Sequence, residues 1–486
     1  MAAEEGPEIH VLLVAFAAQG HMNPMLKFGK RLASKGLTVT LATTDAARER
    51  LSKLSFAHVS GTTTDRRRPR HEIRLEYFSD GMSPEFDRGT HMDYFFQQIG
   101  EHGPGNLADL VRRVYPSRGR RRLRCIINNP FVPWVADVAA ELGIPCAMLW
   151  IQPCALYATY YRYYTGLNEF PPLDGDTFEV HLPGLPVLKK EDLPSFLLPS
   201  NPLPTIPKVL AQCFRDMEKV KWVLGNSFYE LEKTAVDSMQ TVRPIVPVGP
   251  LVPPEILGNE LDDATNSTST LMVDMWQPDE QCLRWLDRKP PASVVYISFG
   301  SVVVLSPKEA ENFADALRKS DFPFLWVIKP GQEDGGKHDG GVDDFMKGME
   351  DRGLVVTWCP QAKVLSHPSV ACFVTHCGWN STVEAVAAGV PAVAYPQWTD
   401  QPTNAKLLVD VLKMGVRMRA GPDGVVDRDE AERCIGEVMT GPGSGEMKAA
   451  AVKWKEAARA AVAHGGSSDR NIQTFVEEIV ATDSSS

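Results

Sequence analysis

The chain has 486 residues, of which 43% are hydrophobic and 23% charged, so we expect two or three globular domains with a large buried core. A net charge of −10 argues against nucleic acid as the main partner. The acidic N-terminus, the nine dispersed cysteines and the lack of an apolar run of roughly 18–20 residues predict a cytoplasmic protein without signal peptide or membrane insertion.

The first half of the chain alternates apolar strands with helical stretches, which predicts a parallel sheet covered by helices on both faces. The expected strands are Val11–Ala18, Thr38–Ala42, Cys125–Ile127, Cys146–Trp150 and Trp222–Asn226.

A histidine lies where the first of these strands gives way to a helix. Asn23 is a good N-cap and Pro24 a good first helical residue, so we expect the helix to begin there. His21 then falls in the loop beyond the carboxyl end of the strand, where open α/β sheets bind ligands. A loop histidine with a structural hydrogen bond is the alternative interpretation.

The character of the chain changes around Val248–Pro254, and the polar segment Leu261–Thr270 is predicted to be a surface loop. A second alternating series follows, in which Ser306, Pro307 and Glu309 indicate a capped helix start. Its expected strands are Ser293–Ser298, Phe324–Lys329, Gly353–Val356, Ala371–Thr375 and Val390–Tyr395. We therefore expect a first α/β domain over residues 1–250, a linker over 251–275, a second domain over 276–465 and a final helix over 466–486.

The segment from Trp358 to Gln401 is the richest in candidate functional residues. Its middle part reads as a strand, a turn at Gly378 and a helix capped by Asn380 or Ser381. Such a helix N-terminus is a phosphate site, around which His376, Asn380 and Ser381 cluster. Trp358 offers a flat surface for a base, and Glu384 is placed to bond ribose hydroxyls. Asp400 and Gln401 are placed to bond sugar hydroxyls.

Other polar clusters in the sequence are predicted to be structural. Cys359, His367, Cys372, His376 and Cys377 lack the short Cys-x(2–4)-Cys spacing of structural zinc sites, so no metal is expected. Asp174-Gly175-Asp176 is predicted to be a turn, and the basic runs Arg66–Arg70 and Arg118–Arg124 are predicted to be solvated loops.

The 44 positions from Trp358 to Gln401 resemble the signature of plant secondary-product, UDP-dependent glycosyltransferases. Motifs elsewhere in the chain also match, namely Gln19-Gly20-His21-x-x-Pro24, Asn226–Glu232, Ser298–Ser301 and Gly465–Ser468. The resemblance implies the GT-B fold, with two facing Rossmann-like domains and a cleft between them. The first domain then binds the acceptor and the second the UDP-sugar, while the last helix packs back on the first domain.

The resemblance also implies roles for individual residues. Trp358 stacks on uracil, and Gln361 and Glu384 bond the ribose. The diphosphate is held by His376, Asn380, Ser381 and Ser301, and the sugar by Trp379, Asp400 and Gln401. A closing Gln401 favours UDP-glucose as the co-substrate. No cofactor is implied; the other substrate is a small aromatic acceptor, and a monomer is expected.

The implied reaction is inverting transfer, with His21 as the general base that activates the acceptor. In most relatives an aspartate supports this histidine, whereas the matching position here is Asn129, which cannot stabilise the imidazolium as a carboxylate does. Either another acid such as Asp137 assists, or the acceptor is a carboxylic acid that is already ionised at pH 7. In the second case a protonated His21 positions the carboxylate.

The segment that contains Asn129, Trp150 and Gln152 resembles the subgroup that makes glucose esters of hydroxycinnamic, benzoic or indole-acetic acids. Trp150 and Gln152 are therefore candidates for the acceptor pocket, together with parts of Glu76–Asp87, Trp150–Tyr164 and Leu182–Leu198. The first alternative is O-glucosylation of phenolic hydroxyls with His21 as a true base. C-glucosylation and a catalytically silent nucleotide-binding protein are more remote.

Overall fold

The computed structural model describes residues 8–48, 73–83, 85–116, 121–258, 281–300, 303, 305–328, 346, 348–349 and 351–481. The predicted loops Arg66–Arg70 and Leu261–Thr270, and the candidate Ser301, lie outside these residues.

Seven parallel strands form the first sheet, in the order β3-β2-β1-β4-β5-β8-β9. A short antiparallel pair, β6 and β7, stands apart from it. The strands are β1 Glu8–Val14, β2 Thr38–Thr44, β3 Arg74–Phe78, β4 Arg121–Asn128, β5 Cys146–Trp150, β6 Glu179–Val180, β7 Leu188–Lys189, β8 Val220–Gly225 and β9 Val246–Pro247.

The second sheet has six parallel strands in the order β12-β11-β10-β13-β14-β15. Its central strands are buried on both faces, as the continuous apolar runs predict for a sheet covered by helices. The strands are β10 Val294–Ser298, β11 Phe324–Val327, β12 Gly353–Val356, β13 Val370–Thr375, β14 Ala392–Ala394 and β15 Gly415–Arg417.

Helices connect the strands and cover both sheets. They are α1 Gln19–Ser34, α2 Met92–Val114, α3 Val135–Glu141, α4 Cys154–Tyr164, α5 Thr205–Arg215, α6 Lys233–Met239, α7 Pro254–Leu257, α8 Gln281–Leu286, α9 Pro307–Lys319, α10 Gln361–Leu365, α11 Trp379–Ala388, α12 Gln401–Lys406, α13 Arg428–Thr440, α14 Ser444–Val462 and α15 Ser467–Ala481. Among the residues described, no helix has both the length and the hydrophobicity that a bilayer crossing requires.

The last helix, α15, packs against the first sheet although it follows the second along the chain. Ile472 and Phe475 lie in one apolar cluster with Leu13 and Phe28, and Lys35 pairs with Asp469 at 2.6 Å. The domain boundaries at residues 250, 275 and 465 remain predictions.

The predicted start of α1 is wrong. The helix begins at Gln19 with Ala18 as N-cap, and the amides of His21 and Met22 both bond the carbonyl of Ala18 at 3.0 and 2.9 Å. His21 therefore lies in the first helical turn rather than in a loop, and Pro24 lies inside the helix. Because Pro24 has no N–H, it cannot donate the usual i+4 hydrogen bond to the carbonyl of Gly20.

The strand pattern was only partly visible in the sequence. The strands β3, β9 and β15 were not predicted, because two to five residues carry too little periodic signal. Arg121–Arg124 belongs to β4, so the prediction of a solvated loop over Arg118–Arg124 is wrong for these residues. The capping box at Ser306 and Glu309 is confirmed.

Candidate active site

The candidate residues lie at the carboxyl ends of adjacent parallel strands in both sheets. In the first sheet His21 follows β1, Asn129 follows β4 and Gln152 follows β5. In the second sheet His376 follows β13 and Asp400 follows β14. Hydrogen bonds join the two edges, so the candidate site lies between the two sheets.

His21 and Asn129 form a hydrogen-bonded pair. Nδ1 of His21 lies 3.0 Å from Oδ1 of Asn129, and that oxygen also accepts the backbone N–H of Phe131 at 3.1 Å. Because a backbone N–H can only donate, the oxygen of the Asn129 side chain must face this way. Nδ1 of His21 therefore carries the proton, and Nε2 is left as a proton acceptor.

Burial favours the neutral form of His21 in the free protein. Burial lowers the pKa of its imidazole from 6.5 to about 4, against a smaller opposing effect of the Asn129 hydrogen bond. Phe16 and Phe131 pack edge-on against the ring, with centroids 5.1 and 4.6 Å away. The low pKa argues against a protonated His21 in the ligand-free state, and a protonated His21 beside a bound carboxylate remains a prediction.

Asp137 does not take the place of the missing aspartate. Its carboxylate accepts a hydrogen bond from Lys219 at 2.6 Å and is 44% exposed, so it serves a surface ion pair. The side-chain nitrogen of Asn129 is buried, and no partner for it lies within the described part of the chain.

The turn between β13 and α11 is strained and tightly held. Cys377 has a φ of 64°, and its backbone is fixed by Thr375 Oγ1, which accepts its N–H at 3.2 Å, and by Asn404 Nδ2, which donates to its carbonyl at 2.8 Å. A strained non-glycine residue at such a strand end is typical of functional sites.

Two glycines enclose the ring of His376. A Cβ on Gly300, whose φ is +70°, would lie 2.4 Å from Cε1 of His376, and one on Gly378 would lie 2.5 Å from Nε2. Gly378 is also the N-cap of α11, so the predicted cap by Asn380 or Ser381 is wrong. The first bond into the helix runs from Thr382 N to Gly378 O at 2.9 Å, so the amides of residues 379–381 precede the intrahelical ladder.

The residues expected to bind the ribose form a hydrogen-bond network. Nε2 of Gln361 donates to Oγ of Ser381 at 3.1 Å and to Oε2 of Glu384 at 2.9 Å. The hydroxyl of Tyr296 donates to Oε1 of Gln361 at 3.1 Å. The network fixes the amide orientation of Gln361 and holds Glu384 one turn beyond the helix start.

Asp400 and Gln401 lie buried at the start of α12. Burial raises the pKa of Asp400, against hydrogen bonds from Asn404, Thr399 and Gln152. Nδ2 of Asn404 donates to Oδ2 of Asp400 at 2.7 Å, and the hydroxyl of Thr399 donates to Oδ1 at 2.8 Å. The oxygen of Gln401 accepts the backbone amide of residue 397 at 2.9 Å and that of residue 398 at 3.2 Å.

The three candidate tryptophans differ in position. Trp150 is fully buried against Tyr157, Tyr160 and Phe214, and its N–H bonds the carbonyl of Pro153 at 3.0 Å. Its prediction as a pocket residue is therefore wrong, because an apolar core encloses the indole.

The indole of Trp379 donates to the carbonyl of Asn226 at 2.7 Å and is buried, so only its backbone amide is available to a sugar. Trp358 is partly buried, and its N–H has no partner in the described regions. Gln152 is buried beside Asp400 rather than in a separate acceptor pocket, and its oxygen lacks a partner among the residues placed by the structure.

Two residues at the site escaped the sequence reading. Asn404 lies four positions after Asp400, a spacing that would have placed both on one face of a helix. Nζ of Lys27 lies 3.4 Å from Oε1 of Glu384. Lys27 follows Gly20 by seven positions, a spacing that places both residues on one face of α1.

Comparison with known proteins identifies the class. Residues 281–419 match the family model described as UDP-glucoronosyl and UDP-glucosyl transferase. The structure resembles that of Os79 from O. sativa in complex with UDP, with a TM-score of 0.81, 33% identity and coverage of 96% of this chain and 100% of that chain. The two facing parallel sheets are thus those of a GT-B glycosyltransferase, as expected.

Relatives extend the match over nearly the whole chain. It is 44% identical over 479 residues to limonoid UDP-glucosyltransferase from Citrus unshiu, covering 98% of this chain and 90% of the other. It is 45% identical over 478 residues to gallate 1-beta-glucosyltransferase from Quercus robur, covering 97% and 90%. The chain therefore belongs to the UDP-glycosyltransferase family, and the resemblance carried by Trp358–Gln401 is confirmed.

Proposed function

We propose that the protein transfers glucose from UDP-glucose to the carboxylate of a small aromatic acid, with inversion, to give a β-glucose ester. The second sheet supplies the nucleotide site and the first sheet supplies the acceptor side with His21. The relative from Quercus robur supports this substrate class, since its name gives an aromatic acid, gallate, as its acceptor.

The nucleotide site is proposed from the network at α11. Trp358 stacks on the uracil, and Gln361 and Glu384 bond the ribose hydroxyls. His376, Ser301, Asn380, Ser381 and the free amides at the start of α11 hold the diphosphate, because a helix N-terminus attracts anions. The neighbour Os79 was solved with UDP, which supports a nucleotide site in this fold.

The sugar is proposed to lie between α12 and the start of α11. Asp400 accepts hydrogen bonds from the sugar hydroxyls, and Gln401 accepts and donates hydrogen bonds to them. Gln401 favours glucose as the sugar. An oxygen of the acceptor attacks the anomeric carbon from the side opposite the diphosphate. The new carbon–oxygen bond forms as the bond to the phosphate oxygen breaks, and UDP leaves with the bonding pair, stabilised by the helix N-terminus.

The observation that carries the choice of acceptor is the His21–Asn129 pair, in which no carboxylate stabilises the imidazolium. A phenol has a pKa near 10, so passing its proton to a base with a pKa of about 4 costs about 8 kcal/mol. A carboxylic acid has a pKa near 4 and is already ionised at pH 7, so no proton has to pass to Nε2 of His21. The neutral His21–Asn129 pair therefore suits an acid and is a poor base for a phenol.

Product chemistry tests the proposal. The purified protein is assayed with UDP-glucose and matched pairs of aromatic acids and phenols, and the products are treated with mild alkali or hydroxylamine. We expect glucosides that this treatment cleaves, as it cleaves esters. Products that all survive it would rule out the ester and leave the phenolic and C-glucoside alternatives, and no UDP release with any acceptor would indicate the silent nucleotide-binding protein.

We also propose that the protein is a cytoplasmic monomer. All nine cysteines are buried thiols that form no disulfide bond, which suits a reducing compartment. Light scattering after size-exclusion chromatography measures the mass directly, and a value near 53.6 kDa is expected.

A further inference from the structure

Two contacts join helix α1, which carries His21, to helix α11, which carries the proposed nucleotide ligands. Nδ2 of Asn380 donates to the carbonyl of Gly20 at 2.9 Å. One turn further along α11, Oε1 of Glu384 lies 3.4 Å from Nζ of Lys27. Spacings of seven on α1 and four on α11 place each pair of residues on one helix face, so the two contacts join one face of α1 to one face of α11.

The Lys27–Glu384 ion pair is largely removed from solvent. The two side chains are 13% and 9% exposed, so salt screens their charges only weakly. The second oxygen of Glu384 accepts Gln361, a neutral donor, at 2.9 Å. Lys27 is therefore the cation that offsets the charge of Glu384 in this contact.

The incoming UDP-sugar brings a negatively charged diphosphate to the start of the same helix. An unpaired carboxylate one turn away would repel it, because like charges at this burial interact strongly. A carboxylate oxygen has two lone pairs, so Glu384 can hold Lys27 and a ribose hydroxyl together.

We propose that Lys27 is a positioning residue for the nucleotide, contributed by the acceptor side of the cleft, which neutralises Glu384 so that the site accepts a diphosphate. The inference rests on the proposed function, since it takes Asn380 and Glu384 as ligands of the UDP-sugar.

Isothermal titration of the full chain with UDP tests the role of Lys27. Lys27→Met is expected to raise the dissociation constant of UDP about tenfold. The dissociation constant of uridine, titrated in the same way, should change by less than about twofold. Uridine has the base and ribose but no diphosphate, so no charge repulsion arises. Lys30→Met is the matched control, since this lysine lies on the same helix near a different carboxylate, Glu255, and should leave the affinity for UDP unchanged.

Three outcomes would overturn the assignment of Lys27: unchanged UDP affinity, tighter UDP binding, or equal weakening of UDP and uridine. Equal weakening would mean that Lys27 only shapes the ribose site. Thermal unfolding checks that the variant folds, and Lys27→Gln replaces Lys27→Met if it does not. Glu384→Ala separates the two proposals: if it binds UDP normally, the proposed nucleotide site is wrong. If it loses UDP while Lys27→Met does not, only the inference on Lys27 is wrong.

Discussion

Asn129 can orient His21, but it cannot stabilise the charged form of the imidazole. Its oxygen holds the Nδ1–H tautomer of His21 at 3.0 Å, as a carboxylate would, so the direction of Nε2 is preserved. As a neutral group it does not stabilise the imidazolium, and burial lowers the pKa of His21 to about 4. The side chain of Asn129 differs from an aspartate by an amide nitrogen in place of one carboxylate oxygen. It therefore orients His21 without raising the pKa of the imidazole as a carboxylate would.

Restoring the carboxylate tests that separation. In Asn129→Asp the new anion raises the pKa of His21, since an adjacent opposite charge shifts a pKa by about 1–3 units. We expect the ratio of kcat/KM for a phenol to that for an acid of the same ring to rise about tenfold. Asn129→Ala, which removes the orienting oxygen, should instead depress both substrates. An unchanged ratio in Asn129→Asp would contradict the pKa argument.

The low pKa of His21 also makes stability depend on pH. The folded-state pKa, about 4, lies below the ordinary value of 6.5, so the unfolded chain binds more protons between these values. The contribution is complete above pH 6.5 and is lost as the pH falls toward 4. Relative to His21→Gln, the wild type should lose about 2 kcal/mol of unfolding free energy between pH 7.5 and pH 5.0. Urea titrations at both pH values measure this, and a difference that does not change with pH would refute it.

At the scale of elements, a segment of the first half contacts the turn that carries Asp400 in the second half. Ser195 N donates to the carbonyl of Thr399 at 2.8 Å, and Thr399 N donates to Oγ of Ser195 at 2.8 Å. Thr399 has a φ of 61° and immediately precedes Asp400. Close by, the buried carboxylate of Asp192 pairs with Arg417 at 2.5 Å and Lys406 at 3.3 Å.

Removing the carboxylate of Asp192 should destabilise this contact. Asp192→Ala leaves Arg417 and Lys406 without their buried partner, and we expect a loss of about 3 kcal/mol of stability. Asp410→Ala is the control, because this second partner of Lys406 is 47% exposed and its pair should be worth less than about 1 kcal/mol. Thermal unfolding measures the stability of both variants. An equal loss of stability in the two would contradict the assignment of Asp192 as the buried partner of Arg417 and Lys406.

For the whole molecule, the sequence predicted the sheets better than the contacts between them. Apolar runs such as that in β13 and the 44-position signature indicated two α/β halves and a phosphate-binding helix start. The positions of Trp150 and Lys27 could not be predicted, because burial and pairing across the two halves depend on how separate parts of the chain meet. The start of α1 was misplaced because Pro24 reads as a first helical residue and is in fact an internal one.

The position of Pro24 inside α1 has a consequence that spectroscopy can measure. The carbonyl of Gly20 cannot receive the usual i+4 hydrogen bond from Pro24, and it accepts one from Asn380 at 2.9 Å, across the cleft. If the diphosphate takes over the amide of Asn380, this carbonyl loses that partner. The chemical shift of a ¹³C-labelled Gly20 carbonyl would then follow nucleotide occupancy from the acceptor side of the molecule, with no added probe and no change of side chain.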